Sequence, residues 1–149
     1  MIAVAQRVEW ARVEVAGEEI SAIGRGLLVL LGVVKQDGPD EADYLAGKIA
    51  TLRVFANGEG KFDRSLLDTG GEALVVSQFT LAAQWRKGRR PGFDNAMPPD
   101  KARPLVERFT SNLAGRGVGV REGRFGAHMK VSLANDGPVT LVMDTQARE

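Results

Sequence analysis

The sequence predicts a single α+β domain over residues 1–149, in which a curved, barrel-like and mostly antiparallel β-sheet is covered by two helices. Apolar residues alternate or cluster in short segments that are typical of strands, and in two longer segments they recur at helical spacing. The length of 149 residues suits one hydrophobic core. No linker, internal repeat or low-complexity segment divides the chain.

The first quarter of the chain predicts three strands. Residues 1–15 alternate in polarity, which is typical of a half-buried strand. A turn at Gly17 and Glu18 leads to a second strand around residues 19–23. The run from Leu27 to Val34 is almost entirely apolar, so we expect it to be buried on both faces at the centre of the sheet.

Two segments predict amphipathic helices. The first begins near Pro39, because proline suits a first turn and the acidic residues that follow suit the positive end of the helix dipole. The second begins near Pro99 or Asp100 and ends at Gly115. Pro104 forces this helix to begin late or to bend, because an internal proline removes a hydrogen bond and clashes with the preceding turn. The side chains expected to face the core are Ala42, Leu45, Ile49 and Leu52 in the first helix and Ala102, Leu105, Val106, Phe109 and Leu113 in the second.

The other predicted strands lie in the second half of the chain. The segment from Leu74 to Leu81 predicts a buried strand, and a long surface loop follows it over residues 82–99. Residues 135–138 have the sequence NDGP, a strong turn signal between the last two strands. Three shorter strands are predicted, at residues 118–120, 129–133 and 139–143.

The composition excludes several classes of function. Lys and Arg total 20 against 19 Asp and Glu, so the net charge of +1 does not favour a generally nucleic-acid-binding surface. Because the chain has no cysteine and His128 is its single histidine, thiolate chemistry and multi-histidine metal sites are excluded. No apolar run approaches the roughly 20 residues of a membrane helix and no signal peptide is visible, so we expect a cytoplasmic protein without a membrane partner. No phosphate-loop motif is present, and we expect neither a cofactor nor DNA as a partner.

Two polar segments remain as candidates for chemistry. Residues 77–80 (SQFT) stand at the end of a predicted buried strand, and residues 135–140 (NDGPVT) form a predicted turn. Taken alone, both favour ordinary strand-end and turn residues. His128 has no acidic pattern beside it, so a surface or structural role is favoured over that of a general base.

These two segments resemble the signature motifs of the D-aminoacyl-tRNA deacylase family. The resemblance extends to IAVAQRV at the start of the chain, to IGRGLLVLLGV, to the segment from Leu66 to Gly71, to KGRRPGF and to RFGAHMKVSL, so it covers nearly the whole sequence. One departure is His128, where an acidic residue is more usual, and this puts any role for that position in doubt. The resemblance implies a hydrolase that removes D-amino acids, and wrongly attached glycine, from tRNA.

The resemblance also implies a symmetric homodimer with active sites shared between subunits. The GPVT segment of one subunit would enter the site built by SQFTL of the other, and Gly137–Pro138 would be a cis peptide whose carbonyl oxygens bind the α-amino group of the substrate. The side chain of an L-residue would then point into protein backbone, so selection works by clash. The implied site residues are Ser77, Gln78, Phe79 and Thr80 for catalysis and Gly137, Pro138, Phe125 and Met129 for substrate binding.

Several roles stay open at this point. Hydrolysis of an activated ester needs mainly positioning and oxyanion donors, for which the backbone N–H groups near residues 78–80 are candidates. Thr80 is a candidate nucleophile or water-orienting hydroxyl, although the absence of a visible base favours a water assisted by the ribose hydroxyl of the RNA over a threonine nucleophile. Phe79 and Phe125 either stack on the terminal adenosine or belong to the core, and we favour Phe125 for the substrate role. The basic loop from Arg86 to Arg90 either contacts acceptor-stem phosphates or is a solvated surface loop. The alternative functions are a non-enzymatic RNA-binding module and, ranked last because no nucleophile and base can be paired, a generic small-molecule hydrolase.

Overall fold

The main sheet is built around β1 (Ile2–Val15), in a computed structural model that describes residues 1–147. The first half of β1 pairs antiparallel with β3 (Gly26–Gly32), and its second half pairs antiparallel with β2 (Glu18–Ile23). The other edge of β1 pairs with β8 (Lys130–Asp144) in both halves. Because β1 exchanges one partner for another at its midpoint, the sheet curves there and takes the predicted barrel-like form.

Two parallel pairs extend the sheet beyond β3. β6 (Glu72–Ser77) pairs parallel with β3, and β7 (Gly119–Glu122) pairs parallel with β6. A helix-containing connection precedes each of these strands, as parallel pairing requires. Three of the five pairings in this sheet are antiparallel, in agreement with the prediction of a mostly antiparallel sheet. A separate hairpin of β4 (Phe55–Ala56) and β5 (Phe62–Arg64), which the sequence did not predict, encloses the glycine-rich loop after the first helix.

Residues 1–147 contain three α-helices, whereas two helices were predicted. α1 (Pro39–Thr51) begins at the predicted proline, and α3 (Pro99–Gly115) begins at Pro99 with Pro104 inside it, so the helix does not begin late. The additional helix is α2 (Leu66–Thr69), a single turn that is too short to show helical periodicity. It is stabilised by reciprocal capping, because the Ser65 hydroxyl accepts from the Asp68 N–H at 3.2 Å and the Asp68 carboxylate accepts from the Ser65 N–H at 2.8 Å. None of the helices in residues 1–147 is long and apolar enough to cross a membrane.

The sheet buries apolar side chains on both faces. One face packs against α1 and α3, and Phe109 of α3 is completely buried there. The other face encloses a smaller cluster in the concave interior of the sheet. β3 contributes to both clusters, with Leu27 on the helix-facing side and Leu28 on the interior side, which confirms that this run is buried on both faces. The interior cluster consists of Val8, Ala11, Val13, Ile23, Leu28, Leu74 and Val76.

An ion pair joins α1 to α3 at the surface. Arg108 donates to the two carboxylate oxygens of Asp43 from Nε at 2.8 Å and from Nη2 at 2.7 Å, and Asn112 donates to the same carboxylate at 3.1 Å. The hydrogen bond from Arg108 is the main cause that lowers the pKa of Asp43. The charged form of Asp43 therefore contributes to holding the two helices together.

The predicted strands at residues 129–133 and 139–143 are one continuous strand, so the prediction of a turn between them was wrong. β8 pairs with β1 on both sides of this region, and between the pairs Gln6–Thr140 and Val8–Asn135 four residues of β8 lie opposite Arg7 alone. This region is a large bulge rather than a chain reversal. The long edge of β1 provides pairing partners on both sides of the bulge, and these outweigh the local turn preference.

Candidate active site

A cavity of about 630 Å³ opens at the carboxyl end of β6. The end of β3, the start of α3 and the loops on either side of α3 and β7 form its walls. The lining is mostly apolar, with a few polar side chains, which is the composition expected of a small-ligand site. Its lining residues are Leu31, Val33, Val76, Ser77, Gln78, Phe79, Phe93, Ala96, Met97, Pro98, Pro99, Ala102, Val106, Phe125, Gly126, Ala127, His128, Met129 and Val131.

The predicted strand from Leu74 to Leu81 ends at Ser77, so its last part was predicted wrongly. The Gln78 N–H still donates to the Leu31 carbonyl at 2.7 Å, and residues 79–82 then form a 3₁₀ turn. In this turn the Leu81 N–H donates to the Gln78 carbonyl at 3.2 Å. The N–H groups of Phe79 and Thr80 open the turn and have no backbone acceptor among residues 1–147, so they can bind an anionic oxygen.

Gly32 determines how closely this turn packs against β3. A Cβ atom at position 32 would lie 2.9 Å from the Gln78 carbonyl oxygen and 2.9 Å from Leu81 Cβ, and both distances are too short for a real Cβ contact. Only glycine therefore allows the turn to lie directly over the end of β3. This contact positions the residues that follow Ser77 at the cavity.

Three of the four predicted catalytic residues line the cavity, namely Ser77, Gln78 and Phe79. Thr80 does not, because its exposed side chain lies on the outer side of the turn, where its hydroxyl accepts a short hydrogen bond from the Gln78 side-chain amide. The Gln78 amide is thereby oriented by Thr80. In this arrangement Thr80 is placed to support Gln78 rather than to reach into the cavity itself.

The two predicted substrate-binding residues from the loop before β8 form the opposite wall. Phe125 is half-buried, and the guanidinium carbon of Arg103 lies 5.0 Å from the centre of its ring. The Met129 sulfur accepts from the Arg124 N–H at 3.4 Å. A Cβ on Gly123 would approach this sulfur to 2.7 Å, so glycine allows the thioether to fold back over the loop. These contacts hold the aromatic ring and the thioether in place at the cavity.

His128 also lies in the cavity wall, although the sequence pattern favoured a surface or structural role for it. Its side chain is exposed, and it is the one ionisable side chain among the lining residues. In the sequence, His128 stands between Phe125 and Met129, which were both predicted to bind substrate. This neighbourhood was the signal that could have placed His128 at the cavity. Residues 1–147 contain no group of three or more His, Asp or Glu side chains close enough together to bind a metal ion.

Gly137 and Pro138 do not line the cavity of their own chain. The peptide bond between them is cis, as predicted, and both residues are exposed on the bulge of β8. Ser77 lies in one row of the sheet with Leu31, Ala3 and Met143. Three strand spacings of about 4.8 Å, roughly 14 Å in all along the sheet, therefore separate Ser77 from Met143 of β8. The bulge is six residues further along that strand.

Arg7 holds the bulge in place from β1. Its guanidinium donates from Nε to the Asp136 carbonyl at 3.1 Å and from Nη1 to the Val54 carbonyl at 2.7 Å, and it also lies 3.3 Å from the Asp136 carboxylate. Gly137 has a φ of +128°, and a Cβ there would lie 2.9 Å from Val139 Cγ2 and 3.1 Å from the Val139 nitrogen. The conformation of the bulge therefore depends on glycine at position 137.

Comparison with known proteins identifies the family. The family model described as D-Tyr-tRNA(Tyr) deacylase matches residues 4–144. A curated protein named D-aminoacyl-tRNA deacylase from Roseiflexus castenholzii is 59% identical over 145 residues, which cover 97% of this chain and 92% of the relative. Another protein of that name, from Thermus aquaticus, is 55% identical over 148 residues, which cover 99% of this chain and 97% of the relative.

Two solved structures have the same fold. The structure titled "c-Myc DNA Unwinding Element Binding Protein" is 44% identical to this chain, with a TM-score of 0.92 and coverage of 97% of this chain and 99% of that one. A structure described as a probable eukaryotic D-amino acid tRNA deacylase is 17% identical, with a TM-score of 0.84 and coverage of 95% and 97%, and so shows the same fold. On the family match and these identities, the chain belongs to the D-Tyr-tRNA(Tyr) deacylase family.

Proposed function

We propose that this chain hydrolyses the ester bond of D-aminoacyl-tRNA and releases the free amino acid and tRNA. The observation that carries the proposal is the cavity at the end of β6, which brings Ser77, Gln78 and Phe79 together with Phe125 and Met129. The identity of 59% to a protein named D-aminoacyl-tRNA deacylase supports the same reaction. A cytoplasmic location, where charged tRNA is found, is part of this proposal.

The free N–H groups of the 3₁₀ turn provide the electrostatic part of the catalysis. Water adds to the ester carbonyl carbon, and the carbonyl oxygen becomes an oxyanion that accepts from the N–H groups of Phe79 and Thr80. The C–O bond to the ribose then breaks, and the ribose oxygen takes up the proton that the water has lost. Because the ester is already activated, positioning and oxyanion stabilisation provide most of the rate enhancement.

We favour a water assisted by the neighbouring ribose hydroxyl over a threonine nucleophile. The Thr80 hydroxyl lies outside the cavity lining and is hydrogen-bonded to Gln78. No acidic side chain lines the cavity to act as a base, and His128 is exposed at its edge. Thr80 therefore acts in our proposal by orienting Gln78 and through its backbone N–H.

The site is shared between two copies of the chain in a symmetric homodimer. Gly137 and Pro138 are exposed on a bulge that lies across the sheet from the cavity of the same chain, and a second copy brings such a bulge to the cavity. The two carbonyl oxygens of the bulge accept from the α-amino group of the substrate. With the amino group, the ester carbonyl and the adenosine all held, the L side chain points into backbone and is rejected by clash. A D side chain points outward, and glycine is accepted because it has no side chain to exclude.

Phe125 and Met129 form the wall against which the terminal adenosine lies. The Arg103 guanidinium covers one face of the Phe125 ring, which leaves the other face for the cavity. Aromatic faces stack on nucleic-acid bases. The cations from Arg86 to Arg90 lie in the loop before Phe93 and contact phosphates of the tRNA acceptor end.

The test is hydrolysis of matched D- and L-tyrosyl-tRNA by the purified protein, with a chelator added to remove contaminating metal. We expect release of D-tyrosine and retention of the L-ester. If neither amino acid is released while the protein still binds RNA, the proposed hydrolase activity is refuted and the alternative of a non-enzymatic RNA-binding module is favoured.

Two variants test the assignment of the nucleophile. Thr80→Ala keeps the backbone N–H but loses the hydroxyl that orients Gln78, so we expect a loss of activity well below about a hundredfold. His128→Gln should retain most of its activity. A loss of about a hundredfold or more in Thr80→Ala, with the fold intact, would indicate a threonine nucleophile. A similar loss in His128→Gln would identify a general base.

A further inference from the structure

A projecting loop beside the cavity carries an exposed tryptophan. Gln84 and Gly92 pair through two backbone hydrogen bonds of 2.8 and 2.9 Å and so close residues 84–92 into what we name the Trp85 loop. The Trp85 side chain is 71% exposed. The guanidinium carbon of Arg86 lies 5.7 Å from the centre of its ring. The ring therefore presents a large flat surface to solvent with a cation held against it.

The Trp85 loop also carries several positively charged side chains that no acidic residue in the loop neutralises. It contains four cations and no carboxylate. None of these four cations forms an ion pair with another residue in the described part of the chain. The net charge of the whole protein is only +1, so this local charge is not part of a general excess. The cations are Arg86, Lys87, Arg89 and Arg90.

The base of the Trp85 loop is continuous with the cavity mouth. Phe93 follows directly after Gly92, lines the cavity and contacts Phe79 edge to face, with the ring centres 5.2 Å apart. Phe79 is itself 59% exposed. Phe79 and Phe93 thus stand at the cavity, at the base of the loop that carries Trp85 and the four cations.

We propose that Trp85 stacks on an unpaired base of the RNA that lies next to the terminal nucleotide in the cavity. The inference rests on the proposed function, because the terminal nucleotide occupies the cavity only if the chain acts on the 3′ end of tRNA. Exposed aromatic rings within a positively charged groove are the combination that binds single-stranded nucleic acid, with the rings stacking on bases and the cations bound to phosphates. A duplex keeps its bases stacked on one another, so the ring selects a single-stranded end.

Fluorescence tests this contact directly, because Trp10 and Trp85 are the two tryptophans of the chain. Trp10→Phe leaves Trp85 as the single reporter. We expect a short single-stranded RNA ending in CCA, without an amino acid, to quench this fluorescence saturably, and a blunt RNA duplex of the same length to leave it nearly unchanged. Absence of quenching by the single strand, or equal quenching by the duplex, would overturn the proposal.

The affinity of each variant for the same RNA distinguishes the contribution of base stacking from that of positive charge. Trp85→Ala should weaken binding about tenfold, within the roughly 5- to 150-fold range of one base–aromatic stack, and leave the salt dependence unchanged. Arg89→Gln should instead lower the slope of log affinity against log salt by about 0.7. Trp10→Phe is the matched control, because Trp10 is also exposed, at 42%, and lies 5.5 Å from the Arg12 guanidinium carbon. A Trp85→Ala protein that binds as tightly as the control contradicts the proposal.

Kinetics distinguishes this inference from the proposed function. With D-tyrosyl-tRNA, Trp85→Ala should raise KM about tenfold and leave kcat unchanged, because stacking is the same in the ground and transition states. With D-tyrosyl-adenosine, which lacks the neighbouring nucleotide, the variant and the control should be equally active. An equal loss on both substrates would reveal a structural defect and overturn the inference. A wild-type protein that hydrolyses neither substrate would refute the proposed function, while quenching by the uncharged RNA would still establish the Trp85 contact.

Discussion

Replacement of Gly32 by alanine is a direct test of how the active-site turn is positioned. The new Cβ would lie 2.9 Å from the Gln78 carbonyl oxygen, whereas ordinary contact begins at 3.4 Å, so the turn has to move by about 0.5 Å. Because a shift of about 1 Å at a reacting centre costs roughly a hundredfold in rate, we expect kcat for D-tyrosyl-tRNA to fall about tenfold. Overpacking at this buried position should also lower the free energy of unfolding by about 1–3 kcal/mol.

The assay combines single-turnover hydrolysis with thermal unfolding. Gly24→Ala is the matched control, because a Cβ on Gly24 meets no atom within 4 Å. KM should change little in Gly32→Ala, since the cavity walls formed by α3 and the loop before β8 are untouched. A folded Gly32→Ala protein with the wild-type kcat would refute the argument that this glycine sets the position of the oxyanion donors.

Three further predictions concern the bulge, the helix pair and the core. Gly137→Ala should leave the protein folded but reduce the preference for D- over L-tyrosyl-tRNA at least tenfold, because the added Cβ collides with Val139; an unchanged ratio of the two hydrolysis rates would contradict this. Asp43→Asn should lower Tm at neutral pH, because Arg108 lowers the pKa of Asp43 in the folded state. The stabilisation by the charged carboxylate is therefore present above the ordinary carboxyl pKa and is lost as the pH falls through the folded-state pKa. The difference in Tm from wild type should therefore shrink on acidification, and a difference that stays constant down to pH 2 would be the contrary result. Phe109→Ala should cost about 3–5 kcal/mol in urea unfolding, because the ring is completely buried, and a loss below about 1 kcal/mol would show that the site collapses.

Elements with a strong internal pattern could be predicted from the sequence. β3 was recognised because its run of leucine and valine has no polar break, and it is buried on both faces. The starts of α1 and α3 were recognised because proline precedes the apolar period in each. These signals are local, so no knowledge of the partners of each element is needed.

Features that depend on distant residues could not be predicted in this way. Residues 135–138 have turn-forming side chains, yet they form a bulge because β1 pairs with both flanking parts of β8. The strand that includes Ser77 ends early because a turn packs on Gly32, which is 45 positions away in the sequence. α2 was missed because a single turn has no period, although Ser65 followed by Asp68 three residues later is a capping signal.

The candidate site was predicted mainly from the resemblance of its motifs to a family. Ser77, Gln78, Phe79, Phe125 and Met129 do come together in one cavity. No periodicity indicates that the loop before β8 faces the end of β6, because this contact crosses the sheet. The outward position of the Thr80 hydroxyl likewise follows from the 3₁₀ turn, which the predicted strand did not contain.

The continuous strand β8 carries a cavity wall at one end and the bulge near its middle. Val131 lines the cavity, and Gly137 is six residues further along; β8 pairs with β1 in register from Lys130 to Ala134, and the register shifts before Asn135. In a strand, a change of one residue in length turns every later side chain to the opposite face. The stretch between these two positions should therefore tolerate many changes of side chain but no insertion or deletion. Among related chains we expect the length of this stretch to vary less than its amino-acid sequence.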